Sequence, residues 1–337
     1  MRALTSKTPL DPSSFAIGFD PRDRGRLHTL WDEVLDSQRW AEGTMTERFE
    51  AAWTREHGLG SVAMGSWTGG ALAALAYARV RDRAVVMPSN TFMATPLAVL
   101  AAGGRPVFGD CRRDDLCLSF EAVERLVEEH DARAVMLVHI GGHIAFDVQR
   151  IADLCRDRGV ALIEDCAHAH GASSYGRAAG SWGDAGIYSL YATKTISTGE
   201  GGVLVSGDPE LLDFARAFRN YGKPDHRVHG LNFRMSEFTA AIGLVQVQRL
   251  PEIVAWKNAT ARDHLDPLHP ARLRLPDGMI SGLYKYIVFD EIERSTGRVY
   301  DEPCHRILGT GEDLPNTDWV AANHWCVPLY YHPEVTA

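Results

Sequence analysis

Short apolar segments alternate with longer amphipathic segments through much of this 337-residue sequence. Beyond Gly60 each short segment is apolar on both faces, and several of the stretches between them carry apolar residues at helical spacing. Strands buried on both faces and separated by helices are typical of a mainly parallel sheet. The sequence therefore predicts an α/β fold whose large domain holds a seven-stranded, mainly parallel sheet covered by helices. The predicted strands are residues 61–65, 84–88, 105–110, 134–140, 160–165, 185–190 and 202–207.

Helices are predicted before, between and after these strands. Residues 21–58 carry apolar side chains at helical spacing, and the same pattern recurs between strands and beyond residue 207. The further predicted helices are residues 120–130, 147–159, 210–222 and 235–250.

The length of the chain indicates two domains, because a single core rarely grows beyond about 250–300 residues. We expect the large domain at residues 1–250 and a small, shortened α+β domain at residues 251–337. Pro251 is expected to start a further helix or to mark a break. The segment LYKYIVF, residues 283–289, predicts a strand of the small domain.

Charge and composition exclude several classes of partner. The net charge is -9 with both signs interspersed, so no basic stripe is present for nucleic acid. No apolar run reaches the length that spans a membrane, and the start MRALTSKTPLDPSS lacks the apolar core of a signal peptide. The six cysteines form no C-x-x-C pair, so reduced thiols are expected. We predict a cytoplasmic protein.

A single lysine, Lys194, follows the strand predicted at residues 185–190 and precedes the glycine-rich turn TISTGEGG. A lysine amine forms a Schiff base with an aldehyde cofactor, and partial removal from water lowers its pKa towards the reactive range. A lysine exposed in a surface loop is the alternative interpretation.

Two acids, Glu164 and Asp165, end the strand predicted at residues 160–165. A carboxylate that faces a pyridinium nitrogen keeps the ring protonated and makes it an electron sink, and one of these acids suits that role. Asp165 as a helix N-cap is the alternative. His168 and His170 follow as an H-x-H pair without a third ligand nearby, so packing or hydrogen bonding is expected rather than a metal site.

Two further segments carry polar or aromatic residues where a predicted strand ends. In MGSWTGGALAALAYARV, Ser66 and Thr68 precede an Ala/Leu-rich helix, where hydroxyls and backbone N–H groups can bind a phosphate. A plain strand-to-helix turn explains the pattern as well. In MPSNTFMATPLAVL, Phe92 is placed either to cover a flat ring or to pack in the core.

Each of these four segments meets a different need of one cofactor. They offer an amine, a carboxylate, a phosphate cradle and an aromatic side chain for the ring. Together they predict a site for pyridoxal 5′-phosphate.

Four ordered blocks resemble the DegT/DnrJ/EryC1/StrS family of sugar aminotransferases, which are fold-type-I pyridoxal phosphate enzymes. The blocks read MPSNTFMATPLAVLAAGGRPVFGD, IEDCAHAHGA, YSLYATKTISTGEGG and GLNFRMSEFTAAIGLVQ. The similarity runs from about residue 25 to residue 257, with weaker similarity to residue 332. It implies the fold-type-I architecture.

The resemblance also implies roles for residues around the cofactor ring. Lys194 would hold the aldehyde covalently and later move a proton, and Asp165 would face the ring nitrogen. Phe92 would stack on the ring. His168 stands where the family often has glutamine and would lie near the ring hydroxyl.

The family pattern further implies a phosphate site that needs two subunits. Asn232 would reach the phosphate from the neighbouring subunit, so the active site would be shared within a homodimer. The phosphate-binding residues of the same subunit would be Ser66, Thr68, Gly69 and Ser189.

The implied reaction moves an amino group from an amino acid, L-glutamate, to a keto-sugar linked to a nucleotide. Two residues depart from the family pattern. Trp67 replaces a small residue of the family's Ser-Gly-Thr turn and is expected to alter that turn or to line the substrate pocket. His168 resembles the branch that handles cyclitols and aminohydroxybenzoate, which leaves a cyclitol ketone as the alternative acceptor. A sugar dehydratase of this family would carry histidine in place of Lys194, and a non-catalytic regulator would not need the intact motifs.

Overall fold

A computed structural model describes residues 19–332 of the chain. The strands are β1 (Gly60–Met64), β2 (Ala84–Pro88), β3 (Arg105–Gly109), β4 (Ala134–Val138), β5 (Ala161–Asp165), β6 (Ser173–Ser174), β7 (Arg177–Ala178), β8 (Ala185–Ser189), β9 (Gly202–Ser206), β10 (Met279–Ile280), β11 (Tyr286–Val288) and β12 (Trp325–Val327). The helices are α1 (Arg24–Ser37), α2 (Thr44–His57), α3 (Trp67–Tyr77), α4 (Ala94–Ala101), α5 (Phe120–Glu129), α6 (Val148–Arg158), α7 (Pro209–Phe218), α8 (Glu237–Thr260), α9 (Cys304–Leu308) and α10 (Pro315–Ala322).

The large sheet has seven strands in the order β1-β9-β8-β5-β4-β2-β3. The strands from β8 to β3 pair in parallel, whereas β9 pairs antiparallel with both β1 and β8. Six strands therefore share one direction, and β9 alone of the seven is reversed. This confirms the predicted α/β fold with a mainly parallel seven-stranded sheet, and each predicted strand overlaps an observed one.

Helices cover both faces of this sheet, because alternate residues of each strand point to opposite sides. On one face Val135 and Leu137 of β4 pack in a cluster with α1, α2, α5, α6 and α8. On the other face Ala134 and Met136 pack with α3, α4 and α7. The same alternation turns Glu164 and Asp165 at the end of β5 to opposite faces, which separates the two acids.

Two predicted helices differ from those observed. The segment 21–58 forms two helices, since α1 ends where Gln38 adopts the left-handed conformation with φ of 55°. Helix α8 continues through Pro251, so the expected start or break at that residue was wrong. A proline inside a helix lacks the backbone N–H donor but does not always end the helix. In α8, buried residues lie on both sides of Pro251.

The C-terminal part adds two small sheets. β11 pairs with β12, and the predicted strand at residues 283–289 is confirmed over Tyr286–Val288. β10 pairs with β6 of the preceding region, and β6 pairs with β7. Helix α8 spans residues 250 and 251, and the proposed division into two domains at that point stays a prediction.

All six cysteines are free and buried, as expected for reduced thiols. Among residues 19–332, no helix combines the length and the apolar character that crossing a membrane requires. The segment examined for a signal peptide lies outside the described residues, and the cytoplasmic location stays a prediction.

Candidate active site

One cavity of about 750 Å³ lies at the carboxyl ends of the parallel strands. In sheets of this kind, ligands bind where loops leave the carboxyl ends of the strands. Gly69 and Asn232 are not among the residues that line it. The other predicted site residues all line it: Ser66, Thr68, Phe92, Asp165, His168, Ser189 and Lys194.

Lys194 lies half-buried in the loop that follows β8. Its backbone N–H donates to the carbonyl of Tyr191 at 2.9 Å, and its Nζ lies 4.9 Å from the centre of the Tyr284 ring. Removal from water lowers the pKa of Lys194 to about 8; the charge of Asp165 opposes this shift, and that of Lys285 adds to it. A substantial fraction of the amine is therefore unprotonated, and nucleophilic, at mildly alkaline pH.

Asp165 ends β5 as a buried carboxylate, and three donors contact it within residues 19–332. Its Oδ1 accepts from the Trp67 indole Nε1 and from the Ala167 backbone N–H, each at 3.0 Å. Its Oδ2 accepts from the Thr95 hydroxyl at 3.1 Å. Burial raises the pKa of Asp165, and these hydrogen bonds together with Lys194 oppose the rise.

Glu164, the other acid of β5, has a structural position on the opposite face. Its carboxylate accepts from the backbone N–H groups of Gly180, Trp182 and Gly183 at 2.6–2.8 Å. The Nε2 atom of His139 lies 2.8 Å away as a further partner. The cluster of His139, Glu164 and Cys166 has metal-ligand chemistry, but these hydrogen bonds already occupy the carboxylate.

His168 lies buried against two tyrosines of the C-terminal part. Its ring stacks on Tyr284 with centroids 4.2 Å apart and on Tyr300 at 5.9 Å. Burial, together with nearby positive charges, holds the pKa of His168 well below its usual value, so the ring is neutral. Its Nδ1 is buried and has no hydrogen-bond partner among residues 19–332, which leaves one polar atom for a bound ligand.

The turn from β1 into α3 presents the predicted phosphate residues. Ser66 caps α3, with its hydroxyl accepting from the Gly69 N–H at 3.4 Å, and Thr68 is exposed. A Cβ at Gly69 would lie 2.8 Å from Phe233, and a Cβ at Gly202 would lie 2.6 Å from the Ser66 backbone. The first N–H groups of a helix lack partners within the helix, so this turn offers donors to an anion.

The remaining predicted residues have different surroundings. Ser189 is buried at the end of β8, where its hydroxyl accepts from the Tyr191 N–H at 3.3 Å. Phe92 is 65% exposed beside the cavity, so it is not the core residue of the alternative interpretation. Asn232 is exposed and pairs through its backbone with Asn220, away from the lining of the cavity.

The expectation that Trp67 alters the family turn or lines the substrate pocket is met, because Trp67 lines the cavity. Several other lining residues were given no role from sequence. Thr95 lies inside the block MPSNTFMATPLAVL, of which only Phe92 was assigned to the site. Three more come from the C-terminal part, where no motif was recognised: Tyr284, Lys285 and Tyr300. The sequence around these three residues does not indicate a site, because only tertiary packing brings them to the cavity.

Comparison with known proteins identifies the family. A model of the DegT/DnrJ/EryC1/StrS aminotransferase family matches residues 22–276. The chain belongs to the DegT/DnrJ/EryC1/StrS aminotransferase family. It is an aminotransferase, and the resemblance found in the four sequence blocks is confirmed.

Individual relatives of this aminotransferase cover nearly the whole chain. The dTDP-3-amino-3,4,6-trideoxy-alpha-D-glucose transaminase of Micromonospora megalomicea subsp. nigra is 33% identical, over 92% of this chain and 91% of its own. The L-glutamine:2-deoxy-scyllo-inosose aminotransferase of Streptomyces fradiae is also 33% identical, over 86% of this chain and 71% of its own. The crystal structure of S. venezuelae DesV in complex with a ketimine intermediate superposes with a TM-score of 0.85 at 28% identity, covering 91% of this chain and 90% of that one.

Aminotransferases of this family depend on pyridoxal phosphate, and the cavity fits that coenzyme. An amine and a carboxylate face the same space, the unpartnered Nδ1 of His168 is available to a polar group, and a helix start with two hydroxyls suits a phosphate. The volume lies within the range of small-molecule and coenzyme sites.

Proposed function

We propose that this aminotransferase moves an amino group from L-glutamate to a keto-sugar linked to a nucleotide. The observation that carries the proposal is that Lys194 and Asp165, an amine and a buried carboxylate, face one cavity of about 750 Å³. The Micromonospora megalomicea relative, a transaminase of a dTDP-linked sugar by its name, supports this class of acceptor.

Lys194 is proposed as the residue that holds the coenzyme and moves the proton. When bound, pyridoxal phosphate supplies a ring that stabilises negative charge at the substrate carbon that loses a proton. With the amino donor bound in its place, the Nζ atom of Lys194 would act as a general base and take the proton from that carbon. A pKa of about 8 suits this work, because a base is most effective when its pKa lies near the working pH.

Asp165 is proposed to accept a hydrogen bond from the protonated ring nitrogen of the coenzyme. The carboxylate is buried, so its attraction to a cation is weakly screened by water. His168 is proposed to contact the ring hydroxyl through its free Nδ1, and Phe92 to pack on the ring face.

The phosphate is proposed to bind at the start of α3. The hydroxyls of Ser66 and Thr68, the backbone at Gly69 and the hydroxyl of Ser189 supply donors there. Asn232 is proposed to complete the site from a second copy of the chain, which makes a homodimer the active form. Its exposed position, away from the cavity of its own chain, supports that role.

A cyclitol ketone is the second candidate acceptor. His168 stands where a glutamine is frequent in the family, and it lines the cavity beside two tyrosines. The Streptomyces fradiae relative, which is an inosose aminotransferase by its name, also spans most of this chain.

A half-reaction tests both acceptors. Protein loaded with pyridoxamine phosphate is mixed with dTDP-linked keto-hexoses or with scyllo-inosose, and visible absorbance reports return of the coenzyme to its aldehyde oxidation state. We expect a fast return with a nucleotide-linked keto-sugar. A return with scyllo-inosose alone would assign the cyclitol class, and no return with either class would contradict the proposed function.

A further inference from the structure

Trp67 occupies the first position of α3 and lines the cavity. Its side chain is buried, with 7% of its surface exposed. The indole Nε1 lies 3.0 Å from Oδ1 of Asp165. An indole N–H can only donate a hydrogen bond, so Oδ1 of Asp165 accepts this bond. Trp67, which departs from the family turn, thus contacts Asp165, the carboxylate proposed to face the coenzyme.

The protein donors of Asp165 are divided unequally between its two oxygens. Oδ1 accepts from the Trp67 indole and from the Ala167 N–H. Among the described residues, Oδ2 accepts a hydrogen bond from the Thr95 hydroxyl only. Each carboxylate oxygen offers about two lone-pair sites, so Oδ1 is filled by the protein while Oδ2 keeps one site open.

We infer that Trp67 is a positioning residue, whose indole N–H fixes the Asp165 carboxylate so that Oδ2 meets the ring nitrogen of the coenzyme. The inference rests on the proposed role of Asp165. Trp67 acts through that carboxylate, and its ring additionally packs in the apolar layer between the sheet and α3.

The same hydrogen bond favours the charged form of Asp165. Burial raises the pKa of this carboxyl, and the bond from Trp67 is one of those that oppose the rise. Loss of the indole N–H therefore moves the carboxyl towards its neutral acid, which is a weaker partner for a ring N–H. The other titratable groups coupled to Asp165 are Lys194, Cys166 and Tyr300.

Trp67→Phe removes the donor and keeps an aromatic ring, and Trp53→Phe is the matched control. Trp53 is 3% exposed, and its indole N–H has no hydrogen-bond partner among the described residues. Both variants lose one buried indole N–H, but only one of these groups contacts a carboxylate. A general effect of losing a buried indole would appear in both variants, whereas loss of the contact to Asp165 would appear in Trp67→Phe only.

Indole ¹⁵N–¹H spectra of the coenzyme-free protein test the contact directly. We expect the resonance that disappears in Trp67→Phe to shift in Asp165→Asn, while the resonance of Trp53 stays in place. If Trp67→Phe does not fold, Asp165→Asn alone still serves, because it is expected to move one indole resonance strongly. No shifted indole resonance would overturn the inference whether or not the aminotransferase reaction is confirmed.

The loaded enzyme gives the second measurement, the first half-reaction with glutamate. For Trp67→Phe we expect the single-turnover rate constant at saturating glutamate to fall about tenfold at neutral pH, as for loss of one hydrogen bond to a charged group, with the half-saturating glutamate concentration little changed. The lost rate is expected to return as pH rises, because Asp165 ionises at higher pH in the variant. An unchanged pH profile, or an equal loss in Trp53→Phe, would overturn the inference. Coenzyme still attached to Lys194 in both variants would leave the proposed function intact.

Discussion

At the scale of single residues, the proposed chemistry depends on the pKa of one amine, that of Lys194. Lys194 is partly removed from water and lies near a second lysine, Lys285, and both effects favour its neutral form. Asp165 acts in the opposite direction. The amine therefore has a lowered pKa although the carboxylate of Asp165 lines the same cavity.

The first prediction concerns the pH dependence of this amine in the coenzyme-free protein. Competitive labelling with trace acetic anhydride, read by peptide mass spectrometry, should show Lys194 reactivity rising with pH around a midpoint of about 8. The reason is that only the unprotonated amine attacks, and its unprotonated fraction grows as pH passes the pKa. A midpoint at the ordinary lysine value of 10.5 would contradict this account.

Two variants give shifts of opposite sign as controls. Asp165→Asn removes the charge that raises the pKa of Lys194, so the midpoint should fall. Lys285→Gln removes a charge that lowers this pKa, so the midpoint should rise. Equal movement in one direction would show that general disturbance of the fold, rather than charge, sets the reactivity.

At the scale of elements, the close approach of β9 to the start of α3 shapes the proposed phosphate site. A Cβ at Gly202 would lie 2.6 Å from the carbonyl carbon and oxygen of Ser66 and 2.7 Å from the nitrogen of Trp67. These are backbone atoms of the turn, so a side chain cannot be accommodated by rotating a neighbour.

The second prediction is that Gly202→Ala separates β9 from this turn. We expect a loss of about 1–3 kcal/mol in the free energy of unfolding, as for overpacked interiors, together with weaker binding of pyridoxal phosphate. Chemical denaturation and a coenzyme titration measure the two effects.

Gly25→Ala is the matched control for this substitution. Gly25 lies in α1 with open space around the position of a Cβ, so alanine there should leave stability unchanged or raise it by about 0.5–1 kcal/mol. Equal stability of the two variants would show that the approach of β9 to α3 is not tight.

The strands of the large sheet could be predicted from sequence because their signal is local. Runs such as AVVMP and AVMLV are buried on both faces, and the observed β2 and β4 lie within the predicted segments. The reversed direction of β9 could not be predicted, since its apolar run reads the same in either orientation. The two-residue strands β6, β7 and β10 are too short to produce any periodicity.

Helix α8 shows how tertiary contacts override a local signal. Pro251 predicted a break, yet buried residues such as Val247, Leu250 and Ile253 continue one apolar face across it. The burial of that face outweighs one lost backbone hydrogen bond.

The site was predictable only where a motif lies next to a strand end. Asp165 ends β5, and Lys194 and His168 lie in the loops that follow β8 and β5, so sequence alone placed all three at one edge of the sheet. The hydrogen bond between Trp67 and Asp165 joins residues 98 positions apart, and the sequence near either residue does not predict it. Tyr284 reaches the cavity from the C-terminal part for the same reason.

At the scale of the whole molecule, Asn232 does not line the cavity of its own chain. This residue is exposed and absent from the lining, whereas the other polar residues proposed for the phosphate lie beside the cavity. A second copy that supplies Asn232 would make each active site depend on both chains.

The third prediction follows from the proposal that two copies share each site. Lys194→Ala and Asn232→Ala proteins, each with reduced activity, are mixed and allowed to exchange subunits. A mixed dimer holds one site with both residues intact, so the mixture should recover about a quarter of wild-type activity. Activity no higher than the average of the two parents would show that Asn232 serves its own chain or no site at all.

The attachment of the coenzyme is the claim on which the rest depends. Protein loaded with pyridoxal phosphate is reduced with borohydride, digested and examined by peptide mass spectrometry. We expect a single modified lysine, Lys194, in the peptide that contains YATKT. Modification of Lys257 or Lys285 in its place, or of no lysine, would contradict it.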